Sequence, residues 1–180
     1  MYWLDEVEKR LKQKNQILFS KDTELQQELI RLIPQQDHRA IILWALEFAK
    51  GTAEILTLKY PGEIRPKTAV ESARQWAEGK IKMSEAQQAI LHCHAFAKEI
   101  SNLEDIALCH AVGQACSVVH TSGHAIGYPM YELTAMVRKY GISRCQAPVE
   151  KRNQEYLDRL FYWQDHYRAY PGEWAKFLCK

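Results

Sequence analysis

His110, Gln114, Ser117, Thr121 and His124 recur at i, i+4, i+7, i+11 and i+14. At about 100° per residue, a helix continuing through all of them carries the five on one stripe. They lie in a stretch, Ile106 to Tyr131, that contains no Asp, Glu, Lys or Arg. Polar side chains in such surroundings need partners, because a buried donor or acceptor left unpaired costs about 1–3 kcal/mol. Two chemistries fit: an internal hydrogen-bond network that specifies packing, or the lining of a ligand cavity. With His94 from the preceding segment, the candidates are His94, His110, Gln114, His120, Thr121 and His124.

Metal binding is the narrower version of the second chemistry. His120 and His124 are four apart and reach one ion if the helix runs through Gly123, but a tetrahedral site needs a third and usually a fourth ligand. The segment His120-Thr121-Ser122-Gly123-His124 lacks the glutamate of a zinc-protease helix. His92 and His94 point to different helix faces. Cys109 and Cys116 stand about 10.5 Å apart along a helix axis and cannot share an ion, whereas Cys116 and His120 can. No metal or cofactor is assigned on these grounds. Nucleophile elbows, Walker A loops and dinucleotide glycine fingerprints are absent. Cys93, between His92 and His94, reads as a buried thiol. No residue receives a catalytic role.

A second set is charged: Asp37, Arg39, Glu63, Arg65, Glu71 and Arg74. Asp37 is placed to cap a helix, and Glu71 and Arg74 are three apart on one face. These residues fit a rim that contacts a partner protein, and they fit equally well ion pairs that tie loops to helices. The C-terminal part gathers Tyr156, Phe161, Tyr162, Trp163, Tyr167, Tyr170 and Trp174 near Arg152, Arg159 and Arg168. That composition suits an interface and also a helix docking on a core.

The elements that must position these groups are helices. Scarce Pro and Gly divide the chain into helical lengths, and no long Val/Ile/Thr run alternates with period two. Helices are expected over Tyr2–Gln16, Thr23–Leu32 with Asp22 as cap, Asp37–Tyr60, Arg65 to Gly79, and Ser84–Ile100 with a Ser84/Gln87 capping box. A central uncharged helix follows over about Leu103–Thr121. The chain then bends or restarts near Ser122–Pro129, and a helix over Glu150–Tyr167 and a last turn complete it. The predicted fold is all-α, a single multi-helix bundle around the central helix.

Composition narrows the function. The chain has 180 residues, 47% hydrophobic and 26% charged, with a formal net charge of +2. That is globular composition with no field to steer nucleic acid or an anionic membrane, and neither partner is expected. The uncharged stretch is long enough for a membrane span, but its three histidines, Gln114, and the breaks at Gly123, Gly127 and Pro129 argue against one. Five cysteines, with no secretory signal in Met1–Arg10, point to a reducing cytosol and a cytoplasmic protein.

Four runs of residues carry a resemblance. They are Asp37-His38-Arg39 with Trp44-Ala45; the run from Arg65-Pro66-Lys67-Thr68 through Trp76-Ala77-Glu78-Gly79-Lys80-Ile81; His94-Ala95-Phe96-Ala97-Lys98; and Ala111-Val112-Gly113-Gln114-Ala115 with His120, His124-Ala125 and Tyr131. In this order they resemble the immunity proteins of bacterial polymorphic toxin systems, in the group called immunity-protein-five-like. The resemblance covers residues 34–141, with 1–33 as an N-terminal helical extension and 142–180 as a C-terminal aromatic one, all within one domain. It implies an all-helical cytoplasmic protein that binds and neutralises a cognate toxin without catalysis. The alternative is a helical metal- or small-molecule-binding protein using His110, His120 and His124.

Overall fold

A computed structural model describes residues 2–179, and they form an all-α fold. Its helices are α1 (Trp3–Lys12), α2 (Gln27–Leu32), α3 (His38–Lys59), α4 (Arg65–Ala77), α5 (Met83–Phe96), α6 (Leu103–Ser117), α7 (Gly127–Tyr140) and α8 (Gln146–His166). Short 3-10 turns join or end several of them. No strand occurs among the described residues.

Local chemistry sets the ends of the long helices. Asp37 caps α3, its carboxylate accepting the Arg39 N–H at 2.9 Å. Pro66 stands in the first turn of α4, where its missing N–H costs nothing. Gly79, at φ +73°, ends α4 with the Lys80 N–H bonded to the Gln75 carbonyl, the six-to-one closure that only a left-handed residue permits.

Other ends differ from the sequence expectations. α1 stops at Lys12 rather than Gln16, and a 3-10 turn, Glu24–Gln26, precedes α2. Thr23, not Asp22, occupies the cap position of that turn. α5 is capped two residues earlier than Ser84 suggests, with Glu85 reaching back to the Lys82 N–H at 3.0 Å in place of a Ser84/Gln87 box, and it ends at Phe96, not Ile100. α8 begins at Gln146 instead of Glu150. The central helix stops at Ser117, short of Thr121. Past the β-branched pair Val118-Val119, Thr121 becomes extended, at φ −153°, and caps a 3-10 turn, Ser122–His124.

α6 lies at the centre, in contact with α3, α4, α5 and α7. Its face-to-face neighbours bury Ala107, Leu108, Cys109, Ala111, Val112, Ala115 and Cys116 on every side, which explains why this helix carries no charge after Asp105. α3 is nearly as enclosed, as its two apolar stripes require. One contiguous hydrophobic core runs from Trp3 to Leu178, so the N-terminal and C-terminal segments share it with the helices between them. Thr134 of α7 accepts the Leu18 N–H at 3.0 Å, and Trp3 donates to Glu150 of α8 at 3.2 Å.

The join between α3, α7 and α8 holds a buried charge pair. Glu132, 6% exposed, accepts two bonds from Arg152, at 2.8 and 2.9 Å, and one from the Tyr156 hydroxyl. Thr52 stands 3.4 Å from the same carboxylate and 2.7 Å from the Tyr128 hydroxyl, which in turn donates to the Phe48 carbonyl at 3.2 Å. The Arg152 guanidinium lies 4.8 Å from the Phe48 ring centroid. Trp44, Phe48, Tyr128 and Tyr156 pack edge-on or tilted around the pair, and burial raises both tyrosine pKa values well above the ordinary range.

Removing one member of such a pair strands the other. Arg152→Met is expected to lower unfolding stability by about 3–5 kcal/mol, measured by urea denaturation. A loss below about 1 kcal/mol would show that water already solvates Glu132.

Candidate functional site

The polar stripe is broken into separate pairs. His94 of α5 and His110 of α6 meet Nδ1 to Nδ1 at 2.9 Å, so one ring donates and the other accepts, and the two must hold opposite tautomers. His110 also lies against Tyr131, 5.2 Å between centroids. Gly113 makes room for the pair: a Cβ there would sit 2.3 Å from His94 Nε2. Burial, then the neighbouring His110 and Lys98, lowers the His94 pKa to about 4, and burial followed by Lys98 lowers that of His110.

Gln114 Oε1 is 3.2 Å from His124 Nδ1. That contact arises from the chain folding back after α6, not from one helical face. A Cβ on Gly127 would meet Gln114 Oε1 at 2.5 Å, so this second glycine accommodates the second pair. Ser117 turns inward to the Gly113 carbonyl, and Thr121 is exposed at its cap position. His120 is exposed and stacks on Trp76, 6.3 Å between centroids, with Phe177 also against Trp76. Because the helix ends at Ser117, His120 and His124 lose the i, i+4 relation on which a shared ion depended. His110, His120 and His124 each meet a different neighbour, His94, Trp76 and Gln114 respectively. Among the described residues no three His, Cys, Asp or Glu side chains converge as a metal set. Cys93, Cys109, Cys116 and Cys145 are buried free thiols, and burial raises their pKa values, which withholds the thiolate.

The charged candidates lie in three places, each paired within the chain. Asp37 holds Arg39 at 2.8 Å, and the hydrogen bond from Arg39 leads the factors that bring the Asp37 pKa down to about 2. Arg65 bridges Glu63 and Glu99, both at 2.6 Å. Arg74 bridges Glu71 at 2.5 Å and the buried Glu78 at 2.6 Å. Only Glu71 and Arg74 of this set border the cavity between α3, α4 and the end of α8.

That cavity is an open groove of about 690 Å³. α3 supplies Leu43, Leu46, Glu47, Lys50, Ala53 and Glu54. α4 supplies Lys67, Val70, Glu71 and Arg74. Trp163 from the end of α8 and Tyr170 from the following segment form a wall. Tyr170 donates to Glu78, and the Ala175 N–H donates to the Ala77 carbonyl at 2.8 Å, which fixes the C-terminal segment along α4. Glu47 accepts from Arg159 and from the Trp163 indole. Lys50, Glu54 and Lys67 have no hydrogen-bond or ion-pair partner among the described residues. The groove was not read from the sequence, yet a signal existed: Glu47, Lys50 and Glu54, at i, i+3 and i+7, form a charged stripe in the middle of a largely apolar helix.

A family model described as "Imm-5 like putative immunity protein" matches residues 31–159, which takes in α3 to α7 and most of α8. The match continues past Gly141, beyond the stretch that the motifs cover, and stops short of Trp163 and Tyr170. No curated protein and no solved structure matches the chain.

The histidine pair makes stability depend on pH. Between about pH 6.5 and about pH 4 the unfolded chain binds a proton on His94 that the folded chain refuses. Stability is therefore full above that window and falls as pH drops through it. The melting temperature is expected to fall by about 2–4 °C from pH 7 to pH 5, and His94→Gln should flatten that slope in circular-dichroism melts. Equal slopes in the two proteins would show that the pair does not carry the effect.

Proposed function

We propose, on the premise that this chain belongs to the Imm-5 like family of immunity proteins, that it binds a cognate bacterial toxin in the cytoplasm and neutralises it without catalysis. The family match over residues 31–159 carries this reading. The chemistry of the molecule agrees with it. Every imidazole but that of the exposed His92 contacts another imidazole, a side-chain amide, an indole or a backbone carbonyl, and burial raises the pKa of all four buried thiols. No described helix is long and apolar enough to cross a membrane. What remains for function is surface held in fixed shape by helices that share one core.

Neutralisation by occupancy needs a specific interface, about 1,600 Å² in total, with a few anchoring side chains near its centre. The N-terminal extension 1–33 and the C-terminal part 142–180, of which the family match takes in residues up to 159, act with the rest as a single unit in this reading, because α8 is one of the helices that set the shape. The six charged candidates, Asp37, Arg39, Glu63, Arg65, Glu71 and Arg74, serve mainly to hold loops and helix ends. Their charges are already matched, so replacing one changes local geometry more than the field a partner meets.

Growth of cells expressing the toxin encoded beside this chain's gene is expected to be restored by co-expression of the chain, and the two proteins should co-purify as a stoichiometric complex. Unchanged toxicity together with no complex would refute the proposal. Turnover of the toxin or its product by the chain would refute the non-catalytic part alone.

A further inference from the structure

The groove described above has unbalanced free charge. Of the ionised groups on its rim, Glu47, Glu71 and Arg74 are already bonded inside the chain. Lys50 on the α3 bank and Lys67 on the α4 bank are left over, against Glu54 alone. Between the banks the floor is apolar, and Trp163 offers a ring whose indole N–H is already satisfied by Glu47.

Covering this groove takes two free ammonium groups and one free carboxylate, Glu54, out of water, which leaves a net positive charge. That loss is unfavourable unless carboxylates meet the ammonium groups, and a basic or neutral occupant supplies none. The apolar floor and the indole favour an aromatic or aliphatic side chain between those carboxylates. Resting on the reading that this protein neutralises a toxin, we infer that the toxin docks in the groove between α3, α4 and the end of α8 through an acidic segment that centres an apolar side chain against Trp163. Trp163 lies outside the stretch 31–159, so the family helices provide the banks while the C-terminal segment selects which apolar side chain fits.

The test is binding of the purified toxin domain encoded by the adjacent gene, by titration calorimetry at two salt concentrations. Lys50→Glu/Lys67→Glu changes two exposed side chains, so the fold should be retained. It is expected to weaken binding at least tenfold and to reduce its salt dependence. Trp163→Ala should weaken binding at least tenfold with little change in salt dependence, and Glu54→Lys should bind as well as or better than the parent. Tight binding by the parent with all three variants unchanged would overturn the groove assignment and leave toxin neutralisation standing. Weaker binding by Glu54→Lys with Lys50→Glu/Lys67→Glu unaffected would overturn the acidic character of the segment. No binding by the parent protein would overturn the neutralisation reading and this inference with it.

Discussion

Glu132 carries its charge where water hardly reaches, and three helices are arranged around that fact. Its carboxylate is usable in the folded state only because α8 delivers Arg152 and Tyr156 one turn apart while α3 brings Thr52 to the other side. Hydrophobic contact alone leaves the rotation of α8 loosely defined, since an aliphatic face tolerates small slips. The bidentate guanidinium does not tolerate them. Fixing α8 also fixes Trp163 near its end, over Glu47, and Tyr170 beyond it, on Glu78. The shape of the outer groove thus descends from an internal ion pair.

Two kinds of charge follow from this construction. Asp37, Arg39, Glu63 and Arg65 sit where helices begin, Glu71 and Arg74 pair along α4, and each is neutralised by its neighbours. Lys50, Glu54 and Lys67 sit on the outward faces of the two bank helices, and their charges are matched by nothing among the described residues. In a protein of small net charge, a local excess of this kind is a better guide to a contact surface than the number of charged residues.

The sequence exposes helix type and the starts of α3 and α4, because a cap, a proline and an apolar period are local signals. Asp37, Pro66 and Gly79 all act where their residue types predict. The polar stripe was legible as a set of groups needing partners, and His110 and Gln114 do find them. Its geometry was not legible. Extending helical phase past Ser117 placed Thr121 and His124 on a face that ends before them, since nothing local distinguishes a helix that continues from one that closes on a capping threonine. The Glu132–Arg152 pair escaped for a different reason. It joins positions twenty apart on different helices, and neither residue is unusual in its own segment. Trp163 and Tyr170 were visible as aromatics, but their facing of Lys50 and Lys67 is tertiary.

The fit of His94 into the notch at Gly113 has a historical consequence. The imidazole leaves no room for even a methyl group on α6 at that point. Position 113 can therefore drift only after position 94 has first become smaller, and the reverse order passes through a clashing ancestor. Gly127 and Gln114 are bound by the same ordering. Descendants of this chain should change these residues in pairs, with the larger partner giving way first, so substitutions at the two sites are expected to appear as linked steps on a lineage.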